Sequence, residues 1–410
     1  MGFHGGMPHF AISRRAFTAL LTGCALGGCS SGSGTASGRS TQDAVGRAYT
    51  FLDRRVDEAA GSPGGLPRSY TGGYMERHHS TVAFTYDVAL VIIAYCRRGR
   101  DADLDRAAAL SRTLVALQEQ DAEDDGRLRQ SYASGRPPSG AKVPEAAADD
   151  VFTGTLAWAG LALLHAHRAT GTAAFRSGSL RAARWIQDHV FRSTGTAGYA
   201  GGITSAGKQV AWRSSEHNAD VAGFFRALGD TVGDDAWGGR ADTAAAFLDA
   251  MWDEEQGAFW TGTGTDGSTV NRSPVPEDPQ TWSYLATRDS RHAASLDWAL
   301  RRLAAEDDGF VGVSVSDADT SKVWFEGTSH VVCALRARNG DGDAARADRL
   351  LASLREAQAS APGADGYGLV AASSDGLDTG DGDRLYASLH TGTTAWFALA
   401  GQRANPFVLD

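Results

Sequence analysis

Two kinds of helical segment alternate along the chain. Segments of the first kind are apolar on nearly every side: 82–96 (VAFTYDVALVIIAYC), 152–167, 218–228, 281–286, 326–337 and 391–401. Those of the second kind are amphipathic: 44–59, 103–120, 180–191, 241–254, 293–306 and 344–358. In 103–120, for example, Leu104, Ala107, Ala108, Leu114 and Leu117 recur at three- and four-residue spacing, which is one stripe of an α-helix. A helix that is apolar all round must be covered on all sides, whereas an amphipathic one can lie outermost.

A short glycine-plus-aromatic or glycine-plus-leucine turn punctuates this alternation six times, marked by Gly65, Gly126, Gly198, Gly257, Gly309 and Gly366. The markers stand 52 to 72 residues apart, enough for one helical hairpin and a long loop. Six apolar helices inside six amphipathic ones predict an all-α chain, a single (α/α)6 toroid over about residues 41–402, followed by a tail at 403–410.

The chain resembles the six-hairpin glycosidase superfamily in this alternation of helix types and in its Gly-aromatic turns, over about residues 41–402. The resemblance implies the toroid and an enzyme of carbohydrate chemistry. Because one such fold hosts hydrolases, lyases and epimerases, the site has to be argued from its own residues.

The first 29 residues read as an export signal. Ser13-Arg14-Arg15-Ala16-Phe17 resembles the twin-arginine pattern, and Leu26-Gly27-Gly28-Cys29 resembles a bacterial lipobox whose Cys29 would carry the lipid anchor. Residues 30–40, rich in Ser and Gly, are a flexible linker. The expected location is the outer face of the cell membrane, or the medium. Cys96 and Cys333 sit in apolar helical stretches and read as buried small hydrophobes.

Charge narrows the partners. The chain carries 39 basic and 49 acidic residues, with no Lys/Arg stripe able to follow a phosphate backbone, so nucleic acid is excluded as a partner. A monomer acting on a carbohydrate, with no cofactor and no metal, is expected. DTGDGD at 378–383 lacks the rest of a calcium-loop pattern and reads as a polar turn.

In a toroid the segments leading into the inner helices share one rim, so their polar side chains converge. These lead-ins carry carboxylates, histidines and tryptophans: ERHHSTVAFTYD (76–87), EAAADDVFTG (145–154), WRSSEHNAD (212–220), PEDPQTW (276–282), KVWFEGTSH (322–330) and YASLHTGTTAW (386–396). Trp212, Trp282 and Trp324 offer flat faces for sugar rings, with Asp150, His217, Gln280 and His330 as hydroxyl-binding partners. Trp158, Trp185, Trp252, Trp298 and Trp396 read as core residues.

Glycoside hydrolysis needs one protonated and one ionised carboxyl group. Glu216 is the expected acid, since it leads directly into an apolar helix that would desolvate it; helix capping is the competing role. Glu326 has the same setting, and Asp87, one turn into an apolar helix, requires a partner or a function. Glu216 and Glu326 begin the third and fifth inner helices, a separation that leans toward inversion of configuration. Two alternatives stay open: a lyase or epimerase using the rim histidines with Tyr86 or Tyr199, and a glycan-binding lipoprotein without catalysis.

Overall fold

In a computed structural model describing residues 40–59, 64–79, 81–135 and 143–409, the twelve periodic segments become helices in the expected order. They are, with one short addition, α1 (Thr41–Ala59), α2 (Gly73–His79), α3 (Thr85–Arg98), α4 (Asp101–Gln120), α5 (Thr153–Thr170), α6 (Ala173–Trp185) and α7 (Ser215–Val232). The chain continues with α8 (Asp235–Met251), α9 (Asp278–Thr287), α10 (Ala294–Arg302), α11 (Phe325–Arg338), α12 (Asp343–Ser360) and α13 (Thr391–Gly401). The export signal, Cys29 and nearly all of the linker lie outside the described residues.

The inner helices α3, α5, α7, α9, α11 and α13 touch one another in sequence, and α13 returns to α3, so the ring closes. The outer helices α4, α6, α8, α10 and α12 each pack on the inner helix before them, and α1 packs on α13 and α12 to complete the sixth hairpin. Burial follows the two patterns: α5 is buried without a break from Thr153 to Leu164, whereas α4 buries one stripe including Ala107, Leu110, Leu114 and Leu117. Each fully buried Leu, Val or Phe contributes about 1.5–3 kcal/mol. None of the described helices is long and apolar enough to cross a membrane.

Each inner helix but the last ends in a left-handed residue that frees the chain to reverse. Gly99, Gly171 and Gly233 do this after α3, α5 and α7, and Arg288 and Asn339 after α9 and α11. Two of these turns share a clip. Arg98 grips Asp103 and Arg338 grips Asp343, each tying the end of an inner helix to the first turn of the next outer one.

Residues 303–306 depart from the expected helix. Helix α10 stops at Arg302, and Ala304–Asp307 pairs antiparallel with Phe310–Val313. The reason is the two-residue turn between them: Asp308 and Gly309 both have positive φ (54° and 81°), the geometry that suits a tight hairpin. Residues 403–409 do not hang free of the ring. Phe407 is buried against Trp158, with ring centroids 4.8 Å apart, and Asn405 donates to the Leu285 carbonyl.

A second ring of very short strands stands on the rim. Each lead-in pairs with a segment from the next repeat: 82–84 with 131–133, 151–152 with 202–203, 213–214 with 262–263, Pro276 with Ser316, Trp324 with Ala372, and 389–390 with 70–71. The last pairing joins the sixth repeat to the first. These ladders fix where each inner helix begins, and so where its first-turn side chains emerge.

Inner helices approach closely where glycine allows it. A Cβ on Gly160 of α5 would lie 2.2 Å from Cζ of Phe224 on α7. Gly160→Ala is therefore expected to force the two helices apart and to destabilise the protein by about 1–3 kcal/mol, read as a lower thermal midpoint.

Candidate active site

Inside the ring, on the rim side, lies a cavity of about 470 Å³. Its charged lining comes from first turns of successive inner helices: Asp87 from α3, Glu216 from α7, Asp278 from α9 and Glu326 from α11, with His390 at the N-cap of α13. Helix N-termini favour carboxylates electrostatically, which makes a ring of inward-pointing first turns a natural acid cluster. The remaining inner helix, α5, contributes Gly154, Thr155 and Trp158. A Cβ on Gly154 would lie 2.7 Å from Oδ2 of Asp220 and 2.6 Å from the His217 ring, so glycine is what lets those side chains sit there.

Glu216 is not the cap of its helix. Ser214 caps α7 by accepting from the backbone N–H of His217 at 3.0 Å, leaving the Glu216 carboxyl to face the cavity. Burial, then the nearby Asp278, Asp220 and Asp381, push its pKa well above the ordinary carboxyl value. Asp278 is raised too, by burial and by Glu326. Asp220, one helical turn beyond Glu216, is raised by burial and Asp278; the Trp158 indole opposes this weakly, and neither Asp220 oxygen has a well-formed hydrogen bond.

Glu326 has the opposite character. Burial would raise its pKa, but His390 and Tyr86 outweigh that and hold the carboxyl below its ordinary value. Tyr86 Oη donates to Oε1 at 2.9 Å, Thr393 Oγ1 donates to Oε2 at 3.1 Å, and His390 Nδ1 stands 3.3 Å from Oε2. Trp396 in turn donates to the Tyr86 hydroxyl at 2.8 Å. The other face of His390 meets Asp87, with Nε2 3.2 Å from Oδ2. Burial alone would lower the His390 pKa, yet the two carboxylates raise it to about 10. Tyr70 stacks on the imidazolium at 4.2 Å. His217 is different again: burial lowers its pKa to about 4, so it stays neutral.

His330 lies beneath this layer. Its Nδ1 is 3.1 Å from Glu277 Oε2 and 3.3 Å from Asp278 Oδ1, and its ring packs against Trp282 and Trp396. Burial pushes Glu277 up to about 7, against the pull of His330. Glu277, Asp278 and His330 bring three donor atoms within 4.8 Å of one another, as do Asp249, Asp289 and His292 at the outer surface. The second group is neutralised by Arg291, which pairs with both of its carboxylates.

Trp212, Trp282 and Trp324 all border the cavity. Three expected binding residues do not. Asp150 accepts from the Ser205 backbone N–H at 2.8 Å in a rim turn, because its lead-in is held by the 151–152 ladder facing outward. Gln280 is fully buried, with Nε2 and Oε1 spent on the carbonyl and N–H of Phe259, so it locks α9 to the rim. His330 contacts the cavity layer from below without bordering it.

Three lining features escaped the sequence reading. Trp158 borders the cavity as well as the core, and nothing in its helix distinguishes it from other buried tryptophans. Asp220 carried a usable signal, a carboxylate four residues after Glu216 inside an apolar helix. The 378–383 turn closes a hairpin between Leu377–Asp378 and Arg384–Leu385, and its Thr379, Gly380 and Asp381 overhang the cavity.

No family model matches the sequence, and no curated protein matches it. Solved structures do. A cellobiose 2-epimerase from Bacillus thermoamylovorans superposes with a TM-score of 0.64 at 11% identity, over 88% of this chain and 98% of that one. A D-mannose isomerase gives 0.61 at 12%, over 87% and 97%. A glycoside hydrolase family 76 mannosidase from Bacteroides thetaiotaomicron gives 0.61 at 10%, over 88% and 97%. The fold is the six-hairpin (α/α)6 toroid. At these identities the likeness is one of architecture, and in this toroid the rim cavity with its carboxyl ring is where chemistry has to be sought.

Proposed function

We propose that the protein is a glycoside hydrolase acting on an oligosaccharide or polysaccharide, exported and held at the membrane by a lipid on Cys29. One observation carries the catalytic part: a single aromatic-walled cavity holds carboxyls whose pKa is pushed up, Glu216 among them, and one whose pKa is held down, Glu326. That is the pairing hydrolysis of a glycosidic bond requires. Glu216 protonates the departing oxygen, and Glu326 accepts a proton from the attacking water. Asp87 works through His390, holding the imidazolium that keeps Glu326 ionised. Helix α9 separates the two glutamates' helices around the ring, and on that order of helices the reading takes inversion of configuration.

Epimerisation is a second reading with one observation in its favour. The cavity also holds a neutral histidine, His217, and a cationic one, His390, as proton removal and return at a sugar carbon would need. Incubation with a polysaccharide panel separates the two readings. Hydrolysis yields fragments heavier by one water, with the first-formed anomer inverted; epimerisation yields products of unchanged mass that take up solvent deuterium at carbon. Unsaturated fragments would point to a lyase, and binding without turnover would reject catalysis.

Cys29→Ala is expected to move the protein from the membrane fraction into the medium, because the acyl chains supply the binding. Fractionation of the producing cells reads this directly, and an unchanged membrane pool would refute the anchor.

A further inference from the structure

The cavity holds more acid than hydrolysis uses. Beyond the pair assigned above, Asp220 and Asp278 border it from α7 and α9, and Asp381 overhangs it from the 377–385 hairpin. Asp220 is 2% exposed and neither of its oxygens has a well-formed hydrogen bond, the Trp158 indole being the one donor that acts on it. Asp381 is held only by Thr379 Oγ1 and the Asp383 backbone N–H. Asp278 has the His330 Nδ1 3.3 Å away, and that histidine is shared with Glu277.

Cations do not balance this group. Among the described residues, none of Glu216, Asp220, Asp278 and Asp381 forms an ion pair with an arginine or lysine. Arg213 borders the cavity, but its guanidinium is turned to the Thr196 and Gly267 carbonyls. His390 is taken by Asp87 and Glu326. The same cavity is lined by the Trp212 and Trp282 rings, whose faces attract cations as well as sugar C–H surfaces. The Trp282 indole N–H, lacking a well-formed hydrogen bond, stands ready to donate to a hydroxyl.

We propose that the cavity selects sugars bearing a free, protonated amine, of the glucosamine type, with the ammonium seated between Asp220 and Asp278 against the tryptophan faces. This rests on the glycosidase reading and adds a substrate class to it. An ammonium supplies three donors and one positive charge, so it satisfies the oxygens of Asp220 and offsets the repulsion between Asp220 and Asp278, while Glu216 keeps its proton for the leaving oxygen. An N-acetyl group in the same place presents a methyl and no charge. A neutral hexose leaves the repulsion untouched.

The test compares glucosamine oligomers, their N-acetylated counterparts and glucose oligomers of equal length and linkage, using the full chain, with turnover by product mass spectrometry and binding by calorimetry. The expected result is at least a tenfold preference for the free amine, in kcat/KM or in Kd, that shrinks with added salt and falls toward one in Asp220→Asn. Hydrolysis of the neutral or acetylated oligomers with equal or better efficiency would overturn the amine proposal while leaving the hydrolase reading in place. Selective binding of the amine oligomers without cleavage would uphold the amine site and reject hydrolysis. Stoichiometric binding of Mn²⁺ or Ca²⁺ that is lost in Asp220→Asn, with no amine preference, would overturn the proposal in favour of a metal site.

Discussion

Replacing Glu216 by glutamine is expected to lower turnover of an unactivated glycoside by about 10³-fold, the scale contributed by a positioned general acid. Glutamine keeps the shape and the neutral charge that Glu216 holds in the cavity but has no proton to give. The loss should therefore appear in kcat, with KM little changed, and circular dichroism and thermal midpoint should stay near the wild type. A substrate with a good leaving group, such as an aryl glycoside, needs less protonation and should lose far less. The pH profile supplies a second reading of the same group. Because the Glu216 pKa is raised, the acid form persists above the range of an ordinary carboxyl, and activity should fall on the alkaline side as it ionises. Asp278→Asn removes one of the charges that raise it, so that alkaline limb should move to lower pH. Full activity in Glu216→Gln on unactivated substrate would reject the assignment. Loss on aryl and unactivated substrates alike would mean that Glu216 positions rather than protonates.

Asp87→Asn should weaken the fold by about 3 kcal/mol, the usual consequence of removing one partner from a buried ion pair. Asp87 is fully enclosed, and His390 keeps its charge because Asp87 and Glu326 bracket it. The sign follows from linkage. His390 is raised from about 6.5 to about 10, so its contribution to stability is complete below the lower value and is lost as pH rises through the higher one. Without Asp87 the folded pKa drops, so the variant has less of this stability to lose and its loss is complete nearer neutrality. Urea unfolding between pH 6 and 10 measures this as a longer decline for the wild type, with the gap between the two curves narrowing toward pH 10. A parallel pair of curves would show that His390 is not charged in the native state. Since Glu326 is held ionised by the same histidine, the variant should also lose activity in the pH range where His390 has become neutral.

The architecture was legible because its cause is periodic. A helix buried on all sides and a helix buried along one stripe leave different residue patterns, and six alternations of the two are satisfied by one closed double ring. Where the pattern misled, local turn chemistry had overridden it. The segment 293–306 keeps helical spacing to its end, but Asp308 and Gly309 take positive φ and draw Ala304–Asp307 into a hairpin. The glycine markers behave likewise: Gly126, Gly257, Gly309 and Gly366 occupy positive φ, while in the first and third repeats that role passes to Gly64 and Gly195, a residue or three earlier.

By itself, then, the sequence determined the double ring, the rim on which polar side chains gather, and the placing of Glu216, Glu326 and Asp87 at or near inner-helix starts. Those follow from periodicity and from the cost of a charge on an apolar helix, both of which are local properties of the chain. What only the tertiary structure decided is the state of each acid. The Glu216 pKa is raised by burial inside the ring and then by Asp278 and Asp381, which come to it from the next helix and from a hairpin 165 residues away. Glu326 is ionised because Tyr86, Thr393 and His390 reach it from two other helices. Asp150 and Gln280 looked no different from these in sequence, yet one is turned outward by its ladder and the other is spent on the backbone of Phe259. Charge state and direction depend on neighbours brought from distant parts of the chain, and those neighbours meet only when the ring closes.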